Sequence, residues 1–204
     1  MKINKDTLLF GSFSSNPGNN GCLYFNNKFK KNNINAIYKS FYSDNIKNSY
    51  LAAKSLNFGG FAVSMPFKFE IQNYVDVIDF DSLSIGSSNT ILFKDDKSYS
   101  FNTDWIAVDK FLDRYRDLKN LSIIGNGGFS KAVQYVCKKK DIKFEIITRQ
   151  NWSSIKDIEN YLFNATPVDI EHEFLIDGRP HTTTGKEIAK IQAEKQYEIY
   201  SQLF

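Results

Sequence analysis

Cysteine and histidine are scarce in this chain, two of each in 204 residues. Cys22 and Cys137 form no CxxC pair, and His172 and His181 stand too far from either for a recognisable zinc spacing, so no metal is expected. No uninterrupted apolar run approaches the roughly 20 residues that a bilayer-crossing helix needs. The start, MKINKDTLLFGSF, has a charged opening but too short an apolar stretch and no small-residue cleavage site. A cytoplasmic chain without a membrane partner is expected. Charge of one sign is also lacking: the formal net charge is only +3, and no basic stripe or arginine–aromatic interleaving tracks along the sequence. KFKK (28–31) and KKK (138–140) read as solvated helix ends, and nucleic acid is not expected as a partner. Internal repeats and low-complexity linkers are missing too.

What is present is enough apolar material, 42% of residues with 15% aromatic, for one large domain or two small ones. Strand-like runs occur at TLLFGSF (7–13), AIYKSF (36–41), FAVSM (61–65) and NTILF (89–93). Between them lies helical spacing, as in Ile46, Tyr50, Ala53 and Leu56. That alternation predicts an α/β layer, and KDDK (94–97) predicts a hairpin turn that adds an antiparallel pairing to a mostly parallel sheet. From Asp104 the run WIAVDKFLDRYRDL places Ile106, Val108, Phe111 and Leu112 on one helix face. LSIIG (121–125), the glycine turn GNGGFS, the helix it opens and KFEIIT (143–148) make one βαβ unit. IKDIENYL reads as a short helical stretch, EFLID follows, and a long helix runs from about Thr184 to the end.

Two segments carry chemistry. GFAVSMPFK (60–68) is an apolar run stopped by Pro66, with Lys68 two places on; Lys68 is either a solvated lysine or an ammonium at a pocket rim. In GNGGFS, Gly125, Gly127 and Gly128 remove side chains that would keep the backbone from a pyrophosphate, and the following helix aims its N–H groups there. A tight structural turn would use the same glycines. No Lys-Ser/Thr follows them, which excludes a P-loop. The end of the next strand offers Thr148 and Arg149 in place of an acidic residue, favouring NADP over NAD, although an exposed loop arginine without a ligand reads the same way.

Taken in order, AVSMPFK, SSNTI, FNTDW, IIGNGGFSKAV, NATP and IQAEKQYEIY resemble the shikimate dehydrogenase family, especially its shikimate dehydrogenase-like branch, and GNNGCLYFNNKF (18–29) resembles that family's first substrate loop and helix. The resemblance implies a mostly parallel α/β substrate domain, 1–104, and a truncated Rossmann-type NADP-binding domain, 105–183, with a C-terminal helix, 184–204, returning to the first. It implies an NADP-dependent oxidoreductase that interconverts 3-dehydroshikimate and shikimate or a related cyclic polyol carboxylate. Lys68 then becomes the catalytic lysine and Asp104 its carboxylate partner; as a bare feature, Asp104 also suits a helix N-cap. Asn89, Ser64 and Gln192 become substrate contacts, although Asn89 and Ser64 equally suit strand-end polar groups that satisfy backbone. Gly125, Asn126, Gly127, Gly128, Phe129, Thr148, Arg149, Asn164, Ala165 and Thr166 become cofactor contacts, although Asn164–Thr166 equally suits a strand-end turn before Pro167.

The chain also departs from the pattern. Asn19 and Gly21 occupy the places of the family's two carboxylate-holding serines, and Ala62 stands for an asparagine, so substrate recognition must be rebuilt from Asn19, Ser12, Ser14 or backbone groups. The segments on either side of NATP are short, which leaves room for about one βα unit fewer than the usual dinucleotide fold. A non-catalytic, ligand-binding or regulatory protein that has lost productive cofactor binding is the alternative, and a homodimer is compatible with either.

Overall fold

The computed structural model describes residues 3–204. Its contacts group into two units, the described part of Met1–Thr103 with Ala193–Phe204, and Asp104–Gln192. In the first unit β1 (Leu8–Ser14), β2 (Ala36–Tyr42), β3 (Phe58–Val63), β4 (Val77–Ile78), β5 (Thr90–Lys94) and β6 (Lys97–Phe101) form one sheet in the order β2-β1-β3-β5-β6-β4. β1 pairs in parallel with β2 and β3, and β4 with β6, whereas β5 runs antiparallel to both β3 and β6. The β5–β6 hairpin closes at Asp95 and Asp96, both at positive φ (51° and 60°), as a two-residue turn matched to strand twist requires.

Helices α1 (Asn20–Lys31) and α2 (Ile46–Ser55) connect the parallel strands, and α3 (Phe80–Ile85) precedes β5. α2 buries Ile46, Tyr50 and Ala53, but Leu56 lies past the helix end and is exposed. Gly86 at φ 75° caps α3, but glycine is not what stops α1 and α2. Asn33 after α1 and Asn57 after α2 take the left-handed conformation, φ 54° and 53°. After α1 the next residue closes the motif, Ile34 N donating to Phe29 O at 2.9 Å, and its side chain packs on the core of Phe10, Phe25 and Phe29.

The third strand begins earlier than its apolar run suggests, at Phe58 rather than Phe61, and ends at Val63. Gly59 and Gly60 belong inside it because neighbouring rings fill the space: a Cβ on Gly60 would stand 2.8 Å from Tyr200 Cε1.

The second unit holds β7 (Asn120–Ile124), β8 (Lys143–Ile147), β9 (Tyr161–Asn164) and β10 (Leu175–Asp177), all parallel, in the order β10-β9-β7-β8. α4 (Thr103–Leu112) and α5 (Gly128–Lys139) supply its core with Ala107, Val108, Phe111, Val133 and Val136 around Leu121 and Ile123. The stretch expected to be helical over IKDIENYL is otherwise: a 3-10 segment covers Arg149–Asp157, and Tyr161 already begins β9. Of the last helix, α6 (Thr183–Tyr200), residues 183–192 group with the second unit and 193–200 with the first; Ile188 packs in the second unit's core, Ile199 and Tyr200 in the first's.

Candidate functional site

Within the first unit the end of β3 and the approach to β5 are stitched together. Val63 N donates to Asn89 O at 2.8 Å and Ser88 N donates to Lys68 O at 2.8 Å. The Met65–Pro66 peptide is cis, and Phe67 N returns to Ser64 O. Buried Phe67 and Ile71 anchor the segment in the core of Phe61 and Val63. Ser64, Lys68 and Asn89 are thereby gathered at one end of the sheet, with Lys68 half-buried and Ser64 exposed. Ser15 N, donating to Met65 O at 3.3 Å, brings the loop after β1 to the same place.

Asn19 ends that loop as the N-cap of α1, exposed and making no side-chain cap. At Gly21 a Cβ would lie 3.0 Å from Tyr38 Cε1, so a serine there would crowd a buried tyrosine. Beside it Ser12 Oγ donates to Ser40 Oγ at 3.0 Å, and Cys22 Sγ lies 3.3 Å from Ser40 Oγ. Burial raises the Tyr38 phenol well above its ordinary range, which keeps it a neutral donor. Tyr38 and Ser40 were not singled out in the sequence, since only the β1–β2 register sets Ser40 opposite Ser12 and Tyr38 opposite Phe10.

Asn89 is 3% exposed and its side-chain oxygen accepts from Thr103 N, Thr103 Oγ1 and Thr90 Oγ1 at 2.9, 3.1 and 2.9 Å. The α6 glutamine that reaches this cluster is Gln196, whose Nε2 donates to Thr90 Oγ1 at 2.9 Å. The signal in the sequence is its i+4 spacing from Gln192. Gln192 and Asp104 group with the other unit. Asp104 is not an N-cap: α4 starts at Thr103, which puts the buried carboxylate in the first turn, where the helix dipole favours it.

In the second unit the order β10-β9-β7-β8 reverses direction between β7 and β9, the switch point at which open α/β sheets bind ligands. Gly125 follows β7 there at φ +97°, and a Cβ on it would come 2.7 Å from Thr166 Cγ2. Only glycine fits. Gly127 is the N-cap of α5, and a Cβ there would meet nothing within 4 Å. Two residues not foreseen buttress the turn from behind: Ser130 Oγ donates to Gly125 O at 2.7 Å, and buried Gln134 donates to Ser130 Oγ at 3.0 Å and to Asn126 Oδ1 at 3.3 Å.

Several expected cofactor contacts have structural work for their side chains. The Asn164 oxygen accepts from Thr166 N and Oγ1, and its nitrogen donates to Val168 O at 2.8 Å, so this side chain builds the turn before Pro167. The Phe129 ring lies 5.7 Å from that of Phe163. Thr148 N and Oγ1 both donate to Asn151 Oδ1 as the 3-10 segment begins, while Arg149 is exposed. Among the described residues no group of three His, Cys, Asp or Glu side chains is placed to hold a metal ion, and no helix is long and apolar enough to cross a membrane.

Residues 21–91 match the shikimate dehydrogenase substrate binding domain. A shikimate dehydrogenase-like protein of Haemophilus influenzae is 38% identical over 133 residues, 64% of this chain and 49% of that protein. The chain belongs to the shikimate dehydrogenase family. Another relative, the shikimate dehydrogenase (NADP(+)) of Methanosphaera stadtmanae, is 35% identical over 145 residues, 69% of this chain and 51% of that protein. The chain thus spans about half the length of these curated relatives. A solved shikimate 5-dehydrogenase-like protein matches with a TM-score of 0.81 at 26% identity, over 98% of this chain and 94% of that one. The family's two-part α/β architecture with a dinucleotide-type second sheet is therefore that of this chain.

Proposed function

We propose that this member of the shikimate dehydrogenase family is an NADP-dependent oxidoreductase, interconverting a ring hydroxyl and a ketone on shikimate or a related cyclic polyol carboxylate. The observation that supports it most is the glycine turn at the β7/β9 switch point, joined to a substrate-domain match over residues 21–91. The residues there suit a dinucleotide: Gly127 leaves open space at the positive end of a 12-residue helix. The M. stadtmanae relative is named for NADP(+). When bound, that cofactor supplies or accepts the hydride.

The chain's own groups do the rest of the work. Lys68 stabilises negative charge growing on the substrate carbonyl oxygen and delivers the proton that makes it a hydroxyl; in the reverse direction it removes that proton. Asp104 is its carboxylate partner, compensating the ammonium charge. Asn89, with Ser64, Asn19, the Gly21 backbone and Gln192, holds the ring substituents. The backbone of Gly125–Phe129 and Ala165–Thr166 receives the dinucleotide, and Arg149 its 2′-phosphate.

NADPH oxidation in the presence of 3-dehydroshikimate tests this. The purified protein is expected to turn over, and Lys68→Ala to lower kcat by roughly 10²- to 10⁴-fold, the usual range for a proton-transfer group. Turnover unchanged in Lys68→Ala refutes the mechanism. The four-stranded second sheet favours a second reading, a ligand-binding protein without hydride transfer. Calorimetry separates the two, because that reading predicts shikimate binding and no NADP(H) binding.

A further inference from the structure

The cluster around Asn89 has a direction. Thr103 N–H can only donate, so the Asn89 atom facing it, 2.9 Å away, is the oxygen, and the amide's NH2 lies on the opposite side. Gln196 Nε2 stands 3.5 Å from the Asn89 main-chain carbonyl, which can only accept, so the nitrogen end of Gln196 faces this cluster. The Thr90 hydroxyl lies between them with a single hydrogen. Receiving from Gln196 at 2.9 Å, it has that hydrogen left to give to Asn89 Oδ1, also at 2.9 Å. Donation therefore runs one way, Gln196 to Thr90 to Asn89. Asn89, Thr90, Thr103 and Gln196 are at most 3% exposed, so water does not substitute for any link. In such surroundings a reversed amide would bring two donors or two lone pairs together without compensation.

We propose that Gln196, acting through Thr90, is a positioning residue that, together with the N–H and hydroxyl of Thr103, holds the polarity of Asn89, so that the site meets its ligand with an N–H donor and selects an accepting oxygen, a hydroxyl or carboxylate oxygen. This rests on the reading of Asn89 as a substrate contact given above. It adds which end of the amide makes that contact, and which helix residue supports it.

Thr90→Val removes the hydroxyl at nearly constant volume, Thr90→Ser retains it, and Gln196→Glu turns the first donor into an acceptor. In the ligand-free protein, the ¹⁵N–¹H resonances of the Asn89 side chain, assigned by their loss in Asn89→Asp, are expected to shift or broaden in Thr90→Val and Gln196→Glu and to return in Thr90→Ser. Unchanged resonances in Thr90→Val overturn the relay whatever the ligand is. Shikimate titrations are then expected to show a Kd raised at least tenfold in Thr90→Val and restored in Thr90→Ser, with NADP(H) affinity unmoved. Removing one ring hydroxyl, each in turn, should weaken binding in the native protein and have little further effect in Thr90→Val for the hydroxyl that Asn89 contacts. Loss of affinity without such coupling for any hydroxyl overturns the positioning role and leaves only a packing effect. A relay seen in the spectra of a native protein that does not bind shikimate overturns the substrate assignment alone. If Gln196→Glu does not fold, Thr90→Val, checked by circular dichroism, decides the question.

Discussion

Replacing Gly125 by alanine should cost about 2–4 kcal/mol, and the structure divides that figure into two parts. The backbone at φ +97° lies beyond the left-handed well open to residues with a side chain, a strain of roughly 1–3 kcal/mol. The added methyl would also stand 2.7 Å from Thr166 Cγ2, far inside the ~3.5–4.0 Å of an ordinary carbon contact. Thr166 cannot simply turn away, because its hydroxyl donates to Asn164 Oδ1 at 2.7 Å, a bond whose loss costs about 1 kcal/mol. Thr166→Ser deletes Cγ2 and keeps that hydroxyl. Added to Gly125→Ala, it should recover the contact share, about 1 kcal/mol, and leave the backbone share. The fully buried Cys137 lies in the core of the same unit and reports its opening. Thiol labelling across a urea series, in a Cys22→Ser background, therefore measures each variant. A loss below about 0.5 kcal/mol in Gly125→Ala, the size of an ordinary surface substitution, refutes the reasoning, as does complete rescue by Thr166→Ser.

Burial pushes the Cys137 thiol up to about 12, so at pH 8 almost none is thiolate. A thiol reagent should titrate Cys22 rapidly in the native protein and Cys137 only after unfolding; two fast native thiols would contradict the packing of α5 on β7. Ser98→Ala should cost about 1–3 kcal/mol, since it leaves the buried Tyr50 hydroxyl without the partner now 2.9 Å away. Hydrogen bonds from Ser98 Oγ and N also hold the Asp76 carboxyl below its ordinary 3.8. A folded pKa below the unfolded one gives stability that is complete above about pH 4 and lost as pH falls through the lowered value. The gap between native and Ser98→Ala proteins in urea titrations should accordingly narrow below pH 4, and a gap that widens there would reverse the assignment.

Features set by neighbours in the chain were legible. KDDK predicted a hairpin because Asp and Asn tolerate positive φ, and GNGG predicted the turn before α5 because Gly125 must be glycine. Features set by distant packing were not. Gly59 and Gly60 look like breakers until the Phe10 ring is seen to occupy the space at Gly59, and the Tyr200 ring, about 140 positions on in sequence, the space at Gly60. Ile155, Ile158 and Leu162 have helical spacing, yet they reach one small core from a 3-10 segment, the extended residue that caps it and a strand. Of the candidate site, Lys68, Asn89 and Ser64 were singled out by resemblance, and the structure gathers them at one end of the first sheet. Gln196 was visible only as a neighbour of Gln192, since its partner Thr90 lies 106 residues away. The Asn164 side chain was legible as a turn former, and it builds that turn.

The four strands of the second sheet keep the switch. In the usual doubly wound order 3-2-1-4-5-6, β8, β7, β9 and β10 take places 2, 1, 4 and 5, and among the described residues no strand takes the outermost place on either side. The pair that flanks the switch, β7 and β9, is intact, and so is the end of β8, where a dinucleotide's adenosine ribose would be recognised. Thr148 there is committed to Asn151, no carboxylate follows to accept from a ribose diol, and the exposed Arg149 is the group proposed above for a 2′-phosphate. A guanidinium answers a 2′-phosphate through charge-assisted hydrogen bonds of about 1.5–3 kcal/mol, or roughly ten- to hundredfold in Kd. Arg149→Ala should therefore weaken NADPH by that factor in fluorescence titrations while moving NADH by less than about threefold. An NADPH-to-NADH affinity ratio unaltered by the substitution would remove Arg149 from cofactor choice.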